Sequence, residues 1–153
     1  RDYPQRDPKK PRIGRFPTRR ELRFMAYHAL VRGASGIFFF KLPQHGKPGS
    51  TLLDTPEHWQ ALQDVSRELR TLRRFLKAGN RERLQLEGLE GMSWRHWGRR
   101  VFVLLNNTPT PQPLPDQFKG PEFRMLFENR LFPNELSPSG QLLPNRVLVL
   151  LRR

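Results

Sequence analysis

Between Thr18 and Lys41 the chain carries one helix-to-strand unit with both ends marked, and that unit restricts the possible folds more than any other stretch. Thr18 followed three residues later by Glu21 is a capping box, in which each side chain satisfies an orphan backbone N–H at a helix start. Leu22, Met25, Ala26, Ala29 and Leu30 recur at helical spacing and predict one apolar stripe on a helix over 18–32. Gly33 supplies a left-handed stop. Gly36 to Phe40 is a short unbroken apolar run, the pattern of a strand buried on both faces, so a strand is expected over 36–41. Helix and strand are joined by a few residues only, as α/β units require.

A second helix is predicted over 56–77. Thr55 stands at its cap and Pro56 at the first helical position, where the missing N–H costs nothing. Trp59, Leu62, Leu69, Leu72, Phe75 and Leu76 read as its buried stripe, and Lys77-Ala-Gly79 closes it with a cation and a glycine. From Glu82 onward the period changes from helix to strand. Met92 to Trp97 and Val101 to Leu105 predict a hairpin about Gly98-Arg99, with further strands at Phe123 to Phe127 and Val147 to Leu151. The proline-rich stretch 108–115 suits a rigid connector or sheet edge. Short strands separated by turn signals predict an antiparallel sandwich over 82–153. Residues 1–17, rich in proline and charge, predict an extended lead-in loop.

The run P-T-x-x-E-L-R-x-M-x-Y-x-A-L-x-x-G-A-x-G-I-x-F-F, from Pro17 to Phe40, resembles the closing segment of TIM-barrel glycoside hydrolases, β-galactosidase-like proteins and bacterial glycosidases among them. In that family the segment is the last barrel helix but one and the eighth strand. The similarity continues through the helix from Thr55 to Leu76, which looks like the final barrel helix. Arg100 to Asn107 and Leu143 to Leu151 look like strands of the β-sandwich that follows such barrels. The resemblance implies an α/β fold followed by an all-β one: the terminal helix-strand-helix of a (β/α)8 barrel over 18–79, then a small antiparallel β-sandwich. A complete barrel needs about 250 residues. A chain of 153 would therefore be the C-terminal part of such a protein, partnered by the remainder of the barrel or by a completing polypeptide. Without that partner the apolar faces of these elements would be exposed, so the isolated chain is expected to be insoluble or partnered.

The implied reaction is hydrolysis of a glycosidic bond by two carboxylates flanking it. The family places both upstream, so no catalytic residue is expected here: Glu21 is a cap partner, Glu57 and Glu68 sit on the last helix, and Asp54 lies in a loop. Barrel catalysis sits at the C-terminal strand ends. This chain would contribute to carbohydrate binding through the end of strand eight and its loop, at Phe40, Lys41, Gln44 and His45. At least two of the phenylalanines at 38–40 are expected to fill the barrel instead, because successive strand residues alternate faces.

His28 reads as a packing residue, His58 as support for the first turn of its helix, and His96 as a strand residue flanked by Trp94 and Trp97. Four histidines without convergent spacing do not make a metal site, and no cofactor motif is present. Trp94 and Trp97 have two readings, a carbohydrate-binding face or core.

Zero cysteines exclude disulfides within the chain without fixing a compartment, secreted or periplasmic sites included. No apolar run reaches the roughly 18 residues of a membrane span. The formal charge is +14, with 28 Lys plus Arg against 14 Asp plus Glu. Nucleic-acid and other polyanion binders look like this in bulk. The arginines are dispersed, however, and the polyanion reading requires those of 1–20 and 67–83 to converge on one face. A further alternative is a non-catalytic relative serving as a structural or carbohydrate-binding subunit of an assembly.

Overall fold

The computed structural model describes residues 17–39, 55–127 and 135–152. The lead-in segment before Pro17 lies outside them, as does most of the connection between the helices.

Helix α1 runs Arg19–Val31 and α2 runs Pro56–Lys77. The capping box forms: Glu21 N–H donates to Thr18 Oγ1 at 3.3 Å and Thr18 N–H to Glu21 Oε2 at 2.8 Å. Gly33, at φ +103, ends α1 in a Schellman turn. There Gly33 N–H donates to Leu30 O at 3.0 Å and Ala34 N–H to Ala29 O at 2.9 Å. At the start of α2 the expected side-chain cap is absent. The Thr55 carbonyl instead accepts from His58 and Trp59 N–H at 3.0 and 3.2 Å, and Pro56 removes one orphan donor.

The strand expected over 36–41 is not formed over 36–39, its described part. A parallel strand is held only by a neighbour's ladder, and among the described residues none runs beside it.

The rest is antiparallel β-structure: β1 Arg81–Leu84, β2 Glu90–His96, β3 Arg99–Asn106, β4 Gln112–Pro113, β5 Phe123–Leu126, β6 Gln141–Leu142 and β7 Arg146–Arg152. Five strands form one sheet in the order β1-β2-β3-β7-β5, and β4 with β6 forms a second, two-stranded sheet. The hairpin turn is Trp97-Gly98, not Gly98-Arg99, because His96 and Arg99 already face each other across the ladder.

Strict alternation gives the large sheet two buried faces. Met92, Trp94, Val101, Val103, Leu105, Val147 and Val149 meet Tyr27, Leu30 and Val31 of α1 and Leu72 of α2. On the opposite face Phe102, Leu104, Leu148 and Leu150 pack under Leu89, Leu114, Phe118 and Leu142. Trp94 is thus core. Asn106 pins the second layer from below: its amide donates to Thr110 O and Leu142 O, each at 2.8 Å, and its oxygen accepts from Thr108. Edge strand β1 carries Arg81, Glu82 and Arg83, charges that oppose edge-to-edge pairing. Neither described helix is long and apolar enough to cross a membrane.

The faces the helices bury differ from the predicted stripes. On α1 the buried residues are Arg23, Ala26, Tyr27, Leu30 and Val31, while Met25 is 51% exposed. On α2 they are Ala61, Asp64, Val65, Glu68 and Leu72; of the six stripe residues expected there, only Leu72 is fully buried. The displacement has a specific cause, a polar cluster inside the helix–sheet interface.

Candidate functional site

Phe40, Lys41, Gln44 and His45, the residues expected to contact carbohydrate, lie outside the described residues. The stretch leading to them is described as far as Phe39. Ile37 packs against the cluster of Ala26 and Val65, Phe38 is 98% exposed, and Phe39 faces an open groove. That groove, about 830 Å³ in volume, has Leu30, Ile37, Phe39, Leu69 and Leu76 among its apolar walls. Arg70, Arg73, Lys77 and Arg81 supply its cationic lining. It opens at the margin of the helix–sheet interface, with Trp94 of β2 and Arg81 of β1 on its sheet side.

The helix pair is also joined by a polar cluster. Arg23 on α1 donates from Nε to both carboxylate oxygens of Glu68 on α2, at 3.1 and 2.9 Å. One terminal nitrogen of the same guanidinium donates to Val147 O of β7 at 2.7 Å and lies 3.6 Å from Glu135. The Tyr27 hydroxyl donates to Glu68 Oε2 at 2.8 Å. Arg146 approaches the other side of Glu135 at 3.9 Å. All four central side chains are buried, Arg23 at 3% and Glu68 at 1% exposure. A second ionic tie runs parallel to the first, from Arg19 of α1 to the buried Asp64 of α2 at 2.8 Å, with Gln60 also donating to Asp64.

Burial is the dominant influence on both carboxylates. It raises Glu68 above the ordinary value of 4.5 despite the attraction of Arg23, and it raises Glu135 likewise against Arg23 and Arg146. Burial, then the Glu68 charge, drives the Tyr27 phenol well up, so Tyr27 stays a donor. Two elevated carboxylates around one guanidinium suggest acid–base chemistry. Their burial removes them from substrate, and the arrangement can act only as a clamp joining α1, α2, β7 and the residues before β6.

This clamp has a consequence for pH. A carboxylate whose folded pKa is raised binds more protons folded than unfolded between the two values, so its contribution to stability is present below about 4.5 and lost as pH rises through the folded value. Lowering pH from neutrality toward 5 is therefore expected to raise Tm. Glu90, which Arg32 and Asn107 hold below the ordinary range, acts in the opposite direction and only at lower pH. Thermal melts of wild type and Glu135→Gln across this range check the assignment; the substitution should flatten the slope, and an unchanged slope would refute it.

Elsewhere, His28 stacks on Phe24 with ring centres 5.5 Å apart and lies 3.7 Å from Glu90, which also accepts from Arg32 at 2.6 Å. It is a packing residue in the last turn of α1, beside Glu90. Among the described residues no three His, Cys, Asp or Glu side chains converge as metal ligands.

No family model and no curated protein matches the chain. Among solved structures, the chain is similar to part of a Salmonella typhimurium protein described as a "putative alpha amylase", known from a 1.4 Å crystal structure. The TM-score is 0.43 at 22% identity, covering 88% of this chain and 24% of that one.

Proposed function

We propose that this chain is the closing portion of a glycoside hydrolase-like protein: the last helices of a (β/α)8 barrel, seated on a C-terminal β-domain that braces them. The observation that supports this reading is an open, partly apolar groove at the margin of the helix–sheet interface that the β-domain leaves unfilled. Tyr27, Val31 and Leu72 are closed into the sheet interface, while Leu30, Ile37, Leu69 and Leu76 reach from that core to the groove wall, which Phe39 and Trp94 extend. Exposed contiguous apolar surface of this kind marks a site where further protein packs. In the barrel reading the groove receives the preceding barrel elements, and the clamp around Arg23 fixes the angle at which the two halves meet. Hydrolysis then belongs to a carboxylate pair on upstream strand ends, with Phe40, Lys41, Gln44 and His45 contributing to the sugar site.

The test is to express the chain joined to the coding sequence upstream of it and to assay a panel of aryl glycosides. Hydrolysis that is lost when either of two strand-end carboxylates becomes its amide, together with hydrogen-exchange protection of Ile37 to Phe39 in the longer protein, is the expected result. A longer protein lacking such a pair and binding glycans without cleaving them would favour a non-catalytic carbohydrate-binding subunit.

A further inference from the structure

The tip of the β2–β3 hairpin is built against ordinary turn preference. Its two central residues, Trp97 and Gly98, have φ of +45 and +73. Two-residue turns with both φ positive take Asn, Asp or Gly first, because a bulky side chain is strained in the left-handed region. Trp97 gains no burial in return, since it is 89% exposed. One face of the indole lies parallel on His96, ring centres 4.9 Å apart, and His96 meets Phe75 of α2 edge-on at 6.0 Å. The aromatic row therefore runs outward from the helix–sheet interface and leaves the second indole face open.

The surroundings are cationic. Arg99 stands directly opposite His96 in the ladder and so shares its face of the sheet, and Arg74 precedes Phe75 in the last turn of α2. Both are exposed, and neither forms an ion pair among the described residues. Arg100 is different, being held by Glu82 and Ser93.

We propose that Trp97, with Arg99 and Arg74, forms a subsite for an acidic polysaccharide, one bearing carboxylate or sulfate groups. The open indole face stacks on the C–H face of one sugar ring, and the guanidinium groups meet the anionic substituents beside it. A single-stranded nucleic acid fits less well. Such strands are read by successive exposed aromatics, and β2, β3 and the last turn of α2 present one. The proposal rests on the glycoside hydrolase reading and names the class of glycan that protein would engage.

Affinity electrophoresis of the chain through gels containing polygalacturonate, dextran sulfate, neutral dextran or oligo(dT) tests it. Retardation by polygalacturonate or dextran sulfate but not by neutral dextran is expected, and which of the two retards more identifies the substituent. Trp97→Asn should weaken retardation by about tenfold, the loss of one stacked ring, while leaving Tm equal or higher. Arg99→Gln should weaken it and make it less salt-dependent. Retardation unchanged in Trp97→Asn, preference for oligo(dT) over both acidic glycans, or retardation by none would each overturn the proposal. If Trp97-dependent binding is seen while the longer protein hydrolyses no glycoside, the hydrolase reading falls and the subsite stands. If the longer protein hydrolyses neutral glycosides and the chain binds nothing acidic, the subsite alone falls.

Discussion

Replacing Arg23 by Met should destabilise the chain by about 3–5 kcal/mol, the cost of breaking a buried ion pair by removing one partner. The guanidinium donates to the Glu68 carboxylate and the Val147 carbonyl and is ion-paired with the neighbouring Glu135. Methionine fills similar volume and removes all of these contacts, leaving two carboxylates in an interface that already raises their pKa values. Against a typical total stability of roughly 5–15 kcal/mol, such a loss brings the chain close to its unfolding threshold. Urea unfolding followed by circular dichroism measures it. Arg23→Lys should recover only part, because an ammonium cannot serve the same acceptors as a planar fork. The double variant Arg23→Met with Glu68→Met should be more stable than Arg23→Met alone, since it removes a stranded charge along with its partner. Equal stability of the wild type and Arg23→Met would mean that the clamp contributes nothing.

Ending the chain after Asn145, and so deleting β7, should abolish cooperative folding. This strand pairs with β3 through seven residue pairs and with β5 through four. Its loss detaches β5 and uncovers one edge of β3. Val147 and Val149 leave the helix side of the sheet while Leu148 and Leu150 leave the other. At about 1.5–3 kcal/mol for each fully buried aliphatic side chain, these four account for roughly 6–12 kcal/mol before any ladder hydrogen bond is counted. Loss of chemical-shift dispersion in the truncated chain is the expected readout. A truncated chain that still melts cooperatively would show that the helices and the β1–β3 meander suffice without it.

The ends of both helices were readable because the chemistry that sets them is local. Thr18 with Glu21, Gly33 and Pro56 each act within one turn, and the observed bounds fall within one residue of those expected. The buried faces were harder to read. Arg23, Asp64 and Glu68 are polar residues in the interior, and an apolar stripe drawn without them settles on the wrong side of the helix. The available signal was their spacing: Arg23 with Tyr27, and Asp64 with Glu68, stand four apart and share a face. Their partner Glu135 is far away in sequence and gave no local sign. The apolar run 36–40 illustrates a different limit, since a run of that length specifies burial without specifying a strand partner. Strand β1 was missed because its charges look like a loop. Trp97 was read as one of a pair with Trp94, yet one residue of turn register sends one indole into the core and the other into solvent. The candidate sugar-contact residues Phe40 to His45 rest on the family resemblance, beyond the described residues.

The position of β7 between β3 and β5 also governs the order in which the molecule can assemble. On the ribosome, β3 and β5 emerge well before the strand that joins them, and each waits with an unpaired edge. Arg23 waits longer still, for a carbonyl 124 residues downstream. A nascent segment with this topology holds helix α1 and two open strand edges, with the contact from Arg23 to Val147 still unmade, until β7 clears the exit tunnel. Synthesis of this segment is thus the stage at which a trigger-type chaperone, or a pause in translation, would have the greatest effect on yield.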